Sequence, residues 1–348
     1  MDLPGRIGGH DRAVAAALWY PTDAEPAEVV YAGGPNRGEV AAGAPVRASA
    51  DPCPLLVFSH GYGGSAVGSA FFAEALASRG WIVACPDHED RDKLVALRGG
   101  PRRVDRFAYL ERALAMAKAG RGFDRENVRY RIEEFRVVLD AVLGSREFGP
   151  AIDAERIAAG GHSLGGFGAI ALCGAEEGER DARLQAALLF SPALFPFGEE
   201  ELSAVRVSTM ILLGEKERDE VHGGRTTADL LARAFERLPA PKYLVEIRGG
   251  THFSFNMPAA SGLVARAWSG TEEDFATVRT YSIAFLERHV AGRMDAEAIL
   301  SAGDERISAY RRQTRGGRPD VSADPAGEPR PTAPPARGLD SPAKEALP

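Results

Sequence analysis

Seven stretches of the chain are apolar with scarcely a polar interruption: "AVAAALWYP" from Ala13, "PLLVFSH" from Pro54, "WIVACPD" from Trp81, "RIAAGGHS" from Arg156, "AALLFSP" from Ala186, "STMILLG" from Ser208 and "KYLVEIRGG" from Lys242. Near-continuous runs of this kind, without the alternation of a half-exposed sheet, are expected of strands buried on both faces of a parallel sheet. Between them the apolar positions switch to helical spacing. "GSAFFAEALASRG" ends at Gly80, a C-terminal cap glycine, and "RYRIEEFRVVLDAVL" puts Ile132, Phe135, Val138, Leu139 and Val142 on one stripe. "TADLLARAFERL" and "FATVRTYSIAFLERHV" read the same way. Strand and helix alternating along the chain predict an α/β fold: a mostly parallel, doubly wound sheet flanked by helices. Ligands of such sheets bind beyond the carboxyl ends of the strands.

Two segments leave the pattern. Residues 88–127 are charged and partly helical, and read either as a partial lid over the strand ends or as a plain helix covering the sheet. From Gln313 the chain turns to proline, glycine and charge with almost no aromatics, a composition that cannot bury enough surface to offset the entropy of ordering. The expected organisation is one domain over residues 1–312 and a disordered tail over 313–348.

Composition narrows the partners. With 348 residues, 45% hydrophobic and 26% charged, the chain is ordinary globular material, and a formal charge of -7 argues against a general nucleic-acid surface. No run reaches the roughly 18 apolar residues of a membrane span, and "MDLPGRIGGHDRAV" has no apolar signal core. The three cysteines, Cys53, Cys85 and Cys173, are widely separated and sit beside apolar stretches, as small buried hydrophobes in a reducing compartment do. A cytoplasmic protein is expected; oligomeric state is left open.

Candidate chemistry gathers at the predicted strand ends. In "RIAAGGHSLGG" a strand runs into Gly161, His162, Ser163, Leu164 and Gly165, and a helix opens at once. A nucleophile on such a turn takes strained backbone angles, and side chains two residues to either side would strike neighbouring backbone. The amide of Leu164, at the helix start, points where an oxyanion would form. A second donor belongs on the loop after an earlier strand; "LLVFSHGYGG" supplies it, through the amide of Tyr62. Of the seven histidines, His60 precedes that donor and reads as a loop anchor, His162 points away from the serine, and His289 reads as a surface residue. His88 has no second histidine at ligand spacing, so no metal site is expected. His252, in the loop "RGGTHFSF" after the last strand, can swing over the sheet toward Ser163 and act as its base. The orienting acid belongs between them in sequence, in "GEKERDEVHGG": Glu217 stands three residues past Gly214, and Asp219 two residues later. The alternatives stay open, Glu217 preferred. Tyr62, Phe167 and Phe253 are candidate linings of an apolar acyl pocket, Phe167 alternatively packing beneath the turn.

These residues together resemble the α/β-hydrolase superfamily, and within it the bacterial esterases grouped with dienelactone hydrolases and platelet-activating-factor acetylhydrolases. The resemblance runs through "ALWYPT", "LLVFSHGYGG", "GWIVACPDH", "RIEEFRVVLDAVL", "GHSLGGFGA", "MILLGEKE" and "GGTHFSF", over about residues 13–290. It implies the α/β-hydrolase fold, a serine esterase acting on a small-molecule ester through Ser163, an acid and His252, oxyanion amides on Tyr62 and Leu164, and no cofactor. It departs at the acid, where such relatives usually carry aspartate. An acyltransferase or thioesterase with the same triad, and a non-catalytic binding protein of the same fold, are the competing readings.

Overall fold

The computed structural model describes residues 1–218, 220–222, 224–258, 268–301, 303–316 and 320–323. Ten strands make one sheet: β1 (Asp2–Ile7), β2 (His10–Trp19), β3 (Cys53–Ser59), β4 (Ile82–Pro86), β5 (Ile152–His162), β6 (Leu184–Phe190), β7 (Ser208–Gly214), β8 (Lys242–Ile247), β9 (Ile307–Gln313) and β10 (Asp320–Ala323). Their spatial order is β1-β2-β4-β3-β5-β6-β7-β8-β9-β10. The six strands from β4 to β8 pair in parallel. The two at either margin pair antiparallel. The chain steps from β3 outward to β4 and then returns to β5 on the other side of β3. This reversal opens a crevice at the carboxyl ends of β3 and β5, the place where an open α/β sheet accepts a ligand.

Registry aligns the ends that matter. Ser59 pairs with Gly161, His162 with Phe190, and Gly214 with Ile247. The loops leaving β3, β5, β6, β7 and β8 therefore emerge side by side.

Period two along each strand sends alternate side chains to opposite faces. On β3, Leu55 and Val57 enter a core with the helices α3 (Tyr130–Leu143), α4 (Leu164–Ile170) and α5 (Thr227–Arg237). Leu56 and Phe58 enter the other, with α1 (Ala70–Ala77) and α6 (Glu272–His289). Both faces of the central strands are covered, which is why their sequences show no alternation.

The α3 stripe of Ile132, Phe135, Val138, Leu139 and Val142 is wholly buried, with α3 packed against β1 to β4. Arg131 and Glu134 lie on the same helix at 0% and 1% exposure, and both matter for the site.

The segment 88–127 holds a two-stranded ribbon, Val95–Ala96 with Gly100–Pro101, and the helix α2 (Arg106–Ala119) capped by Asp105. Toward the C-terminus, β9 carries the sheet through Gln313, and β10 adds a tenth strand within the stretch expected to be an unstructured tail. Residues 324–348 lie outside the described residues. No helix among the described residues is long and apolar enough to cross a membrane.

Phe135 is fully enclosed between α3 and the sheet. Phe135→Ala is expected to lower the unfolding free energy by about 3–5 kcal/mol, read from urea denaturation with an unchanged slope.

Candidate active site

The turn from β5 into α4 is tight because backbone crosses backbone there. A Cβ on Gly161 would fall 2.3 Å from the Gly165 carbonyl carbon, and one on Gly165 would fall 2.0 Å from the Ser59 carbonyl oxygen. Glycine at both positions is a steric requirement. Between them Ser163 takes φ 51° and ψ -117°, a conformation that a residue with a side chain adopts only when its surroundings impose it. The imposing contacts are the Ser163 amide to the Phe190 carbonyl (2.9 Å) and its own carbonyl receiving the Gly166 and Ala193 amides. The half-buried hydroxyl stands at the start of α4, clear of the strand.

His252, in the turn after β8, places Nε2 3.1 Å from Ser163 Oγ. Its Nδ1 lies 3.1 Å from Glu217 Oε2. Glu217 sits on the turn that follows Gly214, where a Cβ would meet the Gly250 carbonyl carbon at 2.4 Å, so the β7 and β8 turns can close on one another only with glycine at 214. Its Oε1 accepts the Gly214 amide at 2.9 Å. Burial alone would raise the Glu217 carboxyl, but the hydrogen bond and charge of His252, the Gly214 amide and the Ser191 hydroxyl outweigh it and hold it below the usual carboxylate range. Of the two acids the sequence leaves open, Glu217 reaches the imidazole; Asp219 lies outside the described residues.

One close partner escapes sequence reading. Ser191, the residue after β6, is 1% exposed and also has a positive φ, 37°. Its hydroxyl is 2.5 Å from Glu217 Oε2 and 2.7 Å from His252 Nδ1. The only sequence signal is a polar residue closing the apolar run "AALLFSP" on the strand next to the one that carries Ser163.

The loop after β3 is held by buried charge. Asp90 accepts the Gly63 amide (2.7 Å), the Tyr130 hydroxyl (2.5 Å) and the Arg131 guanidinium, whose Nη1 donates to the His60 carbonyl at 2.6 Å. Burial would raise the Asp90 carboxyl; Arg131 and His60 more than offset it, and it is held low. Asp87 takes the Ala66 amide and the Lys93 ammonium. Beneath them Ser59 donates to His88 Nε2 at 2.7 Å, and His88 Nδ1 donates to Glu134 Oε2 at 2.5 Å. This second Ser–His–Glu chain is sealed from solvent, and burial with Arg131 nearby keeps His88 well below the ordinary histidine range. His60 is lowered to about 4, by burial first and Arg131 second, and anchors the loop through Gly61 O and the His88 amide. Tyr62 is tied to α2: its hydroxyl donates to Asp92 (2.5 Å), Arg112 pairs with the same carboxylate, and the Tyr109 hydroxyl donates to the Tyr62 carbonyl (3.1 Å). Among the described residues the Tyr62 and Leu164 amides have no protein acceptor.

His162 turns away from Ser163. Its Nε2 donates to the His252 carbonyl at 2.9 Å and its Nδ1 accepts from Asn256, so it holds the His252 loop; burial, then His252, keeps it well below the ordinary range. His289 corrects the sequence reading. It is half-buried against Tyr243 and Phe285, hydrogen-bonds the Tyr243 hydroxyl, and is lowered to about 4 by burial, because α6 packs against β8 on that side.

A cavity of about 660 Å³ opens onto Ser163 and His252. Tyr62 and Phe253 line it, joined by Tyr109 and Trp268, their rings 5.4–5.8 Å apart in sequence around the wall. Leu110 and Leu114 of α2 also line it. Phe167 is a correction: it is fully buried, stacks on Phe197 at 5.1 Å and meets Phe123 edge-on, because α4 is enclosed all round and that face points into the core. Among the described residues no three metal-ligating side chains converge.

Comparison with known proteins agrees with this architecture. Residues 27–139 match the family described as platelet-activating factor acetylhydrolase, isoform II, a span that holds the β3 loop and most of α3 and stops before Ser163. A ferulic acid esterase from Streptomyces cinnamoneus is similar in structure, with a TM-score of 0.60 and 26% identity over 81% of this chain and 84% of that one. The sheet topology and these likenesses identify the α/β-hydrolase fold, and the chain is similar to the ester-hydrolysing, esterase-like group within it.

Removing the cation from the loop anchor leaves an uncompensated charge in a sealed site. Arg131→Met is expected to destabilise the protein by about 3–5 kcal/mol, while Arg131→Met with Asp90→Leu costs clearly less. Urea denaturation of the two variants checks it.

Proposed function

We propose that the protein is a carboxylesterase in which Ser163 is the nucleophile, His252 the general base and acid, and Glu217 the group that orients and charge-balances the imidazole. The observation that carries this reading is the continuous path from Ser163 Oγ to His252 Nε2 and from Nδ1 to Glu217, each step 3.1 Å. Such a path lets the imidazole take the serine proton as the oxygen attacks the ester carbonyl, which raises a tetrahedral oxyanion between the amides of Tyr62 and Leu164. Collapse expels the alcohol, protonated by His252 Nε2. Water then enters, gives its proton to the same nitrogen and attacks the acyl-serine; as the acyl C–O bond breaks, Nε2 returns that proton to Ser163 Oγ and the acid leaves.

The substrate class follows from the cavity. About 660 Å³ lined largely by aromatic rings and leucines suits an ester with one bulky apolar or aromatic group better than a short acetyl ester alone. The ferulic acid esterase it resembles is named for an aromatic acid, which supports the same choice. Three free, buried cysteines support a cytoplasmic setting.

Ser163→Ala should abolish turnover of p-nitrophenyl esters and labelling by a fluorophosphonate while leaving the melting temperature within a few degrees. Glu217→Ala should lower kcat by about 10³–10⁴ with labelling slowed in proportion. Hydrolysis that survives in Ser163→Ala removes the proposal. A chain-length and aryl series of esters reads the cavity preference.

A further inference from the structure

Three acceptors and donors crowd one point behind the imidazole, and their hydrogens have only one consistent placement. The Glu217 carboxylate can only accept, and its Oε2 faces both Ser191 Oγ at 2.5 Å and His252 Nδ1 at 3.1 Å. Ser191 has a single hydrogen, which the carboxylate takes. A lone pair of Ser191 Oγ then faces Nδ1 at 2.7 Å, so Nδ1 must carry the hydrogen, and its nearest acceptor is the serine oxygen rather than the carboxylate. The unprotonated nitrogen is Nε2, on the side of Ser163.

We infer that Ser191 is a positioning residue of the active site, a hydroxyl bridge that receives the His252 Nδ1–H and passes the charge of Glu217 to it. The inference rests on the esterase reading above. No proton leaves Ser191 in the cycle: when His252 becomes an imidazolium, the Nδ1–H···Oγ–H···carboxylate chain shortens its charge separation without a bond being broken. The site is built for this hydroxyl. Ser191 is 1% exposed, its amide is bound to the Leu212 carbonyl at 2.7 Å, and its φ of 37° turns the side chain off the end of β6 toward the β7 and β8 turns. A conformation unfavourable for a residue with a Cβ is kept where β5 and β6 end in registry, beside Leu212 of β7.

The test is a coupling cycle on the full chain, with p-nitrophenyl esters as substrate. Ser191→Ala is expected to lower kcat about 10- to 100-fold, the range for loss of a hydrogen bond to a charged group, with KM within about twofold. In a Glu217→Ala background the same change should cost about twofold or less, because the bridge then has no charge to pass. Ser191→Gly removes the hydroxyl while relieving the positive φ, so it should fold at least as stably and show the same kcat loss; a loss caused by misfolding would be absent there. Wild-type kcat in Ser191→Ala or Ser191→Gly, or equal losses with and without Glu217, overturns the inference. If Ser163→Ala keeps turnover, the esterase reading fails; if Ser163→Ala is dead and Ser191→Ala is fully active, only the bridge fails.

Discussion

Asp90 is the carboxylate on which the geometry of the site hangs. It is completely enclosed, and a buried carboxylate persists only where its charge is matched and its lone pairs are filled. Arg131, Tyr130 and the Gly63 amide do both. Because Arg131 also donates to the carbonyls of His60 and Gly61, one ion pair fixes α3, the β3 loop and the amide of Tyr62 as a single body. Breaking it would free the loop that faces the reacting centre. The pair has a structural use well beyond its Coulomb energy, since the loop it orders has no regular secondary structure of its own.

Above that anchor the site is assembled from strand ends. Ser163 and Ser191 follow neighbouring strands, both with positive φ, and Glu217 and His252 follow the next two. None of these side chains has to travel far, because parallel registry brings the carboxyl ends into line. Backbone strain at two serines is tolerated because the sheet beneath them is packed on both faces and cannot relax. The glycines at 161, 165 and 214 are the complementary device, letting turns approach more closely than any side chain would permit.

Much of this was legible in the residue order. The seven apolar runs correspond to strands, and the stripe of α3 is buried, because burial on both faces of a sheet or one face of a helix leaves a periodic trace. Strands β1 and β9 left none: "DLPGRI" carries a proline and a glycine, and "ISAYRRQ" is rich in polar groups because one side meets solvent. The stretch around His88 offered only charge and a histidine without a second one at ligand spacing, yet Asp87, Asp90 and Asp92 each hold part of the β3 loop. Their partners, Lys93, Arg131 and Arg112, lie on different elements, and nothing in one-dimensional spacing joins Asp90 to an arginine on a helix 41 residues away.

The sequence by itself determined the order of strands and helices, the tight turn around Ser163, and the short list of partners for it, since each depends on local sterics or on periodic burial. Tertiary structure decided the rest. It brought Glu217 to the imidazole, set Ser191 between them, and sent Phe167 into the core instead of the cavity. The reason is one of range. Steric and hydrophobic preferences act on neighbours in the chain and are written in their spacing, whereas a hydrogen bond of 2.5–3.1 Å between ends of different strands depends on the registry of the whole sheet.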